Sequence, residues 1–352
     1  MKKTLLASAI AAATFSGSVM AMQTASELTE RMDSMPQVYG NVQIVYSYED
    51  SDVVGDSNIL RDNGSTIGVK HEHEIAPGVT GFAKLELQGI EATEKGGGNG
   101  LTDLDEAYIG VRGDSFGQVW IGSDDSRYEA LLGDYGNWIY EKATLNPYNS
   151  ATTGEDDQIQ YISPSFSGLT LHAGIQINGE DEGTTTIDSP VTVDSDGELN
   201  TTTTPGEKSY PYQLGASYSM DTLTVSVVMD SNDGAASSEN SYGLAVEYGM
   251  GALVLDAYFD MRGGDTSQDG NEQMGYMATY NMGANTFRLS YEMQDADIGD
   301  ASADVIMFQA LHNVSDNMYV YVEGGQRNVD SGAPGSSDVE TNAIYLGSVY
   351  YF

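Results

Sequence analysis

The sequence predicts an all-β fold, a 16-stranded antiparallel transmembrane β-barrel, and three observations carry that prediction. Segments of about ten residues alternate apolar and polar side chains, as barrel strands do. Their connections alternate between very short and long, and tyrosine gathers at their ends. Period-2 alternation marks a strand with one dry and one wet face. An even number of such strands, with tight turns at one end and long loops at the other, is the pattern of an outer-membrane barrel.

The chain opens on MKKTLLASAIAAATFSGSVMA, in which Lys2 and Lys3 precede an apolar stretch and Val19-Met20-Ala21 reads as a cleavage site. Residues 1–21 are therefore expected to be a secretory signal peptide, because the apolar part is too short for a membrane helix. The remaining unit, 22–352, would carry 12 basic and 53 acidic residues, a net charge of about −41. The spacing admits a short helix within Ser26 to Met35. Strands follow near 38–49, 64–74, 79–91, 104–113, 117–124, 156–163, 168–178, 209–220, 222–230, 240–250, 252–262, 272–283, 285–295, 302–313, 317–328 and 341–352. The tight connections include Ala76-Pro77-Gly78, Asp114-Ser115-Phe116, Asp221, Gly251 and Ala284. The long ones, 50–63, 92–103, 125–155, 179–208, 231–239, 263–271, 296–301 and 329–340, are rich in Asp, Gly, Ser and Thr. The single linker-like run, Glu180 to Glu207, is flanked by strands, and composition is even throughout, so one large β unit is expected rather than two domains. No later stretch approaches the roughly 20 apolar residues of a membrane helix. With no cysteine, an exported chain has no disulfide framework.

Alternation alone does not say which face meets which solvent. In GLTLHAGIQIN, residues 168–178, Leu169, Leu171, Ala173, Ile175 and Ile177 oppose Thr170, His172, Gly174, Gln176 and Asn178. Ala83, Leu85 and Leu87 oppose Lys84, Glu86 and Gln88 in the same way. Two features assign the apolar face to lipid. Tyr46, Tyr48, Tyr218, Tyr248, Tyr291, Tyr350 and Tyr351 sit where aromatic girdles meet a membrane interface. The chain also runs into an aromatic strand, AIYLGSVYYF, as expected where the last strand pairs with the first to close a barrel.

Other motifs point to little chemistry. His71 and His73 share one strand face and could chelate a metal, but a metal site ordinarily takes three or four ligands; no metal site is expected. Asp194 to Glu198, DSDGE, echoes half of a calcium loop and lacks the terminal glutamate. EKGGGNG has no strand-to-helix context or P-loop lysine. His172 beside Asp156 or Asp157 is too generic for a hydrolase, so neither catalysis nor a cofactor is expected. The acidic balance disfavours nucleic acid.

The stretch LDEAYIGVRGDSFGQVWIGSDDSRYEALLGDYGNW resembles the strand–turn–strand leading into the constriction loop of Gram-negative general porins. GSTIGVKHE resembles the second strand of that family, QIQYISPSFSGLTLHAGI the sixth and seventh, and SVYYF the closing strand. The resemblance implies a homotrimer in outer-membrane lipid and lipopolysaccharide, with the third long loop, about Asp125 to Glu155, folded into the lumen. It also implies passive diffusion of small hydrophilic solutes and ions.

The departures from that family are informative. Positions where it carries lumen arginines hold Thr66, Asp105 and Gly154 or Glu155 here, leaving Lys70, Lys84 and Arg288 as lumen bases. Burying Lys84 or Arg288 in lipid would be costly, which supports their inward phase. Asp124, Asp125, Glu129, Asp134 and Glu141 of the loop stand against Arg127 and Lys142. A low-dielectric pore focuses the field of such acids, so a cation preference is expected at a constriction of Asp105, Asp124, Asp125, Glu129, Asp134, Lys70, Lys84 and Arg288. Acidity spread over every loop is equally what a saline habitat selects, since charge runs are usually solvated faces. Two other classes stay open: an outer-membrane barrel enzyme, against which four scattered histidines argue, and a secreted acidic β-rich adhesin.

Overall fold

The protein is seen in a computed structural model that describes residues 35–96, 100–101, 103–136, 153–177, 184–187, 201–204, 209–233, 240–263, 271–296, 301–333 and 337–352. Side chains at 133–136, 184–187 and 201–204 are not described. The leader 1–21, most of the Ser26–Met35 segment and Asp194 to Glu198 lie outside the described residues. The chain divides at Gln37, and the unit Val38–Phe352 carries the barrel.

Sixteen antiparallel strands form it. They are β1 (Gln37–Ser51), β2 (Gly55–Asp62 and Ile67–Ala76), β3 (Val79–Gln88), β4 (Asp103–Gly113), β5 (Gly117–Ser123), β6 (Gln158–Ile162), β7 (Leu169–Gln176) and β8 (Tyr212–Met220). The second half comprises β9 (Leu223–Asp230), β10 (Ser241–Met250), β11 (Leu253–Met261), β12 (Glu272–Met282), β13 (Asn285–Asp295), β14 (Ser302–Ser315), β15 (Met318–Asp330) and β16 (Val339–Tyr351). Each pairs with its sequence neighbour, and β16 closes on β1 in the register Asn41↔Tyr351 to Ser51↔Thr341. Gly40 N donates to Phe352 O (3.2 Å) and Phe352 N to Gly40 O (3.0 Å), sealing the seam. Tight turns between strands use left-handed residues such as Gly251 (φ 67°) and Asp221 (φ 51°), which glycine adopts freely and aspartate tolerates.

The first long connection is not a loop. Residues 50–63 belong mostly to a ribbon in which Ser51 faces Gly55 and Ile44 faces Asp62. The strand then breaks where the Asp62 carboxylate accepts from Gly64 N (2.9 Å), Ser65 N (2.8 Å) and Ser65 Oγ (2.5 Å). Such side-chain-to-backbone bonds compete with the ladder, and the interruption is local. Thr184–Ile187 and Thr201–Thr204 form a separate two-stranded ribbon inside the linker-like run.

The faces divide as the alternation predicts. Leu85, Ile109 (64% exposed), Ile121, Leu171, Leu289 (52%), Phe308 and Ile344 point outward. An outer band of this size has no counterpart on a water-soluble monomer and requires lipid. Inward, Gln158, Gln160, Gln176, Gln213, Asp230, Asp260, Gln309 and Glu323 are buried. The inner wall of β1 and β14–β16 departs from this polar-in rule. Val45, Val305, Met307, Tyr319, Tyr321, Tyr345 and Val349 form an apolar cluster there. Large side chains on one strand lie across glycines on the next: a Cβ on Gly347 would fall 2.0 Å from Tyr321 Cζ, and one on Gly325 2.1 Å from Met307 Sδ. The glycines keep that wall flush.

Candidate functional site

The third long connection enters the lumen as a helix, α1 (Arg127–Gly136). Its start is set by sequence: Ser126 caps it, its Oγ accepting from Glu129 N (3.1 Å), and Ala130 N bonds Ser126 O (2.9 Å). Ser126-x-x-Glu129 is a capping-box pattern, a signal that the strand reading passed over. Leu131 and Leu132 follow one turn on and face the wall. They pack with Tyr128, Val228, Ala245 and Tyr258 into a buried cluster, where Leu132 is 0% exposed. The wall is notched to receive them. A Cβ on Gly215 would lie 2.3 Å from Leu131 Cδ1, and one on Gly243 2.1 Å from Leu132 Cδ1. Polar anchors complete the seat: Gln213 Oε1 accepts from Tyr128 N (2.9 Å), and the Tyr128 hydroxyl donates to Asp260. Asp230 accepts from Gln213 Nε2 (2.7 Å) and from Thr153 N (3.3 Å), tying down the returning end of the loop.

A clamp holds the entering end. Arg127 is 6% exposed, its guanidinium 4.8 Å from the Trp120 ring centroid. It donates to Gln160 Oε1 and to Asp125 O (3.0 Å), with Asp124 Oδ2 at 3.8 Å. Trp120 Nε1 donates to the same Asp124 oxygen (2.7 Å), and Gln160 Nε2 to Asp125 O (2.9 Å). Asp124 N bonds Glu155 O (3.0 Å), so both ends of the loop meet here.

The acids converge beside this clamp. Asp125, Glu129 and Glu155 bring carboxylate oxygens within 4.8 Å of one another, the one group of three metal-capable side chains among the described residues. Asp124 and Asp125 both titrate above the ordinary aspartate range. For Asp124 the larger cause is desolvation against the wall, then the Glu106 charge, opposed by the Trp120 hydrogen bond and Arg127. For Asp125 desolvation again leads, then the charges of Asp124 and Glu155, opposed by Arg127 and Lys84. On the β1–β4 wall, Lys84 pairs with Glu106 and reaches Glu86 at 3.7 Å. A bulge shapes this wall. Glu86 faces Glu106 and Leu87 faces Leu104, leaving Asp105 as the extra residue. A bulge re-aims a side chain, and Asp105 stands against Glu86 and within electrostatic reach of Asp125. Strict alternation would have turned Asp105 away from Glu106.

The remaining residues of the expected constriction are distributed as follows. Lys70 lies 5.2 Å and Lys84 5.9 Å from the Tyr39 ring centroid. Arg288 sits on β13, where it donates to Gln309, which donates to Glu323 Oε1 (2.6 Å). Asp134 falls on the α1 backbone with its side chain outside the described residues, as are Glu141 and Lys142. The His71 and His73 rings are 5.0 Å apart, and among the described residues neither belongs to a three-ligand group. His172 Nε2 lies 3.2 Å from Ser217 Oγ on the inner wall. Sequence reasoning had not placed Glu86, Glu106, Trp120 and Tyr39 at the constriction, although it read an inward phase for Glu86; Glu155 it had matched, as the alternative to Gly154, to a lumen arginine position of the porin pattern.

Comparison with known proteins agrees with this architecture. The profile of the Gram-negative porin family matches residues 7–332. A monosaccharide porin of a Halomonas species is 33% identical over 312 residues, covering 76% of this chain and 81% of that one. A major outer membrane protein of Halomonas elongata matches with the same identity and coverage. Among solved structures, an anion-selective porin from Comamonas acidovorans superposes with a TM-score of 0.67 at 18% identity, covering 90% of this chain and 99% of that one.

Proposed function

The chain belongs to the Gram-negative porin family and resides in the outer membrane, and on that premise we propose that it is a cation-preferring diffusion channel for small hydrophilic solutes. It would act as a homotrimer in lipid and lipopolysaccharide after removal of residues 1–21. The observation that carries the reading is the imbalance at the constriction. Glu86, Asp105, Glu106, Asp124, Asp125, Glu129 and Glu155 stand against Lys70, Lys84 and Arg127, and each of those bases contacts a wall group: Tyr39, Glu106, and Gln160 with Trp120, respectively. Fixed acids in a narrow, protein-walled aqueous path lower the free energy of a cation and raise that of an anion. The anion-selective relative has the same fold, so the sign of selectivity belongs to side chains and not to the barrel. Halomonas relatives that include a monosaccharide porin favour small sugars among the neutral solutes admitted.

Recording from the detergent-purified protein in a planar bilayer under a KCl gradient tests the reading. A reversal potential on the K⁺ side is expected, shrinking as salt approaches 1 M, where the Debye length falls to about 3 Å. A reversal potential on the Cl⁻ side would overturn it. The variant D125N/E129Q/E155Q should lose the K⁺ preference severalfold, since one charge at about 4 Å is worth about 1 kcal/mol even in bulk water.

Acid should erode the preference early. Because the Asp124 and Asp125 carboxyls sit above the ordinary aspartate value, they become neutral at a higher pH than free aspartate as pH falls. Titrating the reversal potential downward from pH 7 should show the K⁺ preference declining before ordinary carboxylates protonate. A decline confined to the ordinary range or below would contradict the shift.

A further inference from the structure

Resting on the cation-preferring reading, we infer that Tyr39 is a specificity-determining residue, which acts by holding the exposed Lys70 of the β1–β4 wall away from the channel axis. The hydroxyl end of its ring covers Gly68 of β2: a Cβ there would fall 2.5 Å from Tyr39 Cζ, 2.6 Å from its hydroxyl oxygen and 2.8 Å from Cε1. That glycine lets a bulky side chain of β1 cover the next strand without projecting into the water path. Two ammonium groups from two different strands, Lys70 on β2 and Lys84 on β3, sit over this one ring. Two like charges would ordinarily separate. Here the negative face of the aromatic ring attracts both, and Lys84 is held further by Glu106 and Glu86.

The two lysines differ in what else restrains them. Lys84 is half-buried and paired with carboxylates, so its charge is largely compensated whatever the ring does. Lys70 is exposed, and the ring of Tyr39 is the partner that sets its position. A lysine stem is long and flexible. Without the ring, the Lys70 ammonium is free to extend into the lumen, where it would repel cations and attract anions. Selectivity is thus controlled by an uncharged side chain that determines where a base can stand.

The test is reversal potential under a KCl gradient for the intact protein and four variants. Tyr39→Phe keeps the ring face and loses only the hydroxyl beside Glu86, so its permeability ratio should shift far less than that of Tyr39→Leu. Tyr39→Leu keeps much of the apolar volume without the ring face, and should lower the K⁺ to Cl⁻ permeability ratio by roughly two- to fivefold, the range an exposed cation–π contact supports. Adding Lys70→Gln to Tyr39→Leu should restore the ratio. Gly68→Ala, which dislodges the ring without altering it, should reproduce the Tyr39→Leu shift and serves if that variant does not assemble. A wild-type channel that prefers K⁺, with Tyr39→Leu and Gly68→Ala unchanged, would overturn the inference and leave the proposed function intact. A shift that Lys70→Gln does not reverse overturns it equally. A wild type that prefers Cl⁻ is failure of the functional reading itself.

Discussion

Gly243→Val is expected to unsettle the channel while leaving the barrel folded. Even the first added carbon would fall 2.1 Å from Leu132 Cδ1 and 2.8 Å from Leu132 Cγ, and valine branches at that atom. Leu132 is fully buried among Tyr128, Val228, Ala245 and Tyr258, so no empty volume receives it, and α1 must back away from the wall. Overpacking of this kind costs about 1–3 kcal/mol, which is roughly a 5- to 150-fold loss in the ratio of seated to unseated helix. The expected readout is a smaller mean single-channel conductance with added open-channel noise, while heat-modifiable migration and β content stay as in the wild type. Leu132→Ala opens the space that the new side chain needs. If the clash is the cause, Gly243→Ala combined with Leu132→Ala should run quieter than Gly243→Ala alone. Quiet, full-sized steps from Gly243→Val would show that α1 does not depend on this notch.

The second large effect is expected at Arg127. A cation in the first turn of a helix opposes the helix dipole by about 0.3–1 kcal/mol, yet Arg127 occupies the first helical position and is almost completely buried. Its surroundings account for this: the carboxylate of Asp124, the carbonyl of Asp125, the amide of Gln160 and the face of Trp120. Arg127→Met preserves length and apolar contact but leaves the carbonyl and amide oxygens without their charged donor. Hydrogen bonds to charged groups contribute about 1.5–3 kcal/mol each, so the entering end of the loop should come loose. Excess current noise is expected, together with a reversal potential displaced further toward K⁺, because a positive charge next to Asp124 and Asp125 is gone. Arg127→Lys should restore the charge but not the quiet trace, since an ammonium does not reproduce the planar fork that reaches Gln160 and Asp125 together. A quiet Arg127→Met channel with unchanged conductance would mean the clamp is dispensable.

Much of the barrel was legible in the sequence. Strand number, the tight and long connections and the inward or outward face of Leu85, Lys84, Leu289 and Arg288 follow from a period of two, which each strand carries within itself. The ribbon over 50–63 was read as a loop because its polar residues pair above the apolar band, where alternation no longer tracks lipid. Helix α1 was missed although Ser126, Glu129, Leu131 and Leu132 announce it, since ten residues interrupted by Gly133 offer little periodicity. The inward aromatic wall of β14–β16 was missed because Tyr321 and Met307 lie over Gly347 and Gly325, their register partners on the neighbouring strand, a relation that exists only once register is set.

Sequence by itself thus determined that the chain makes a lipid-facing barrel with an acidic third connection, because hydrophobic periodicity and charge are properties of each segment alone. Tertiary structure decided which charges meet. The bulge at Asp105 turned two successive acids toward one site, Gly215 and Gly243 let α1 lie flush, and Trp120 and Tyr39 set where the bases stand. Those outcomes depend on cross-strand register and on packing between residues far apart in the chain, and a pore's field depends on the distances that result.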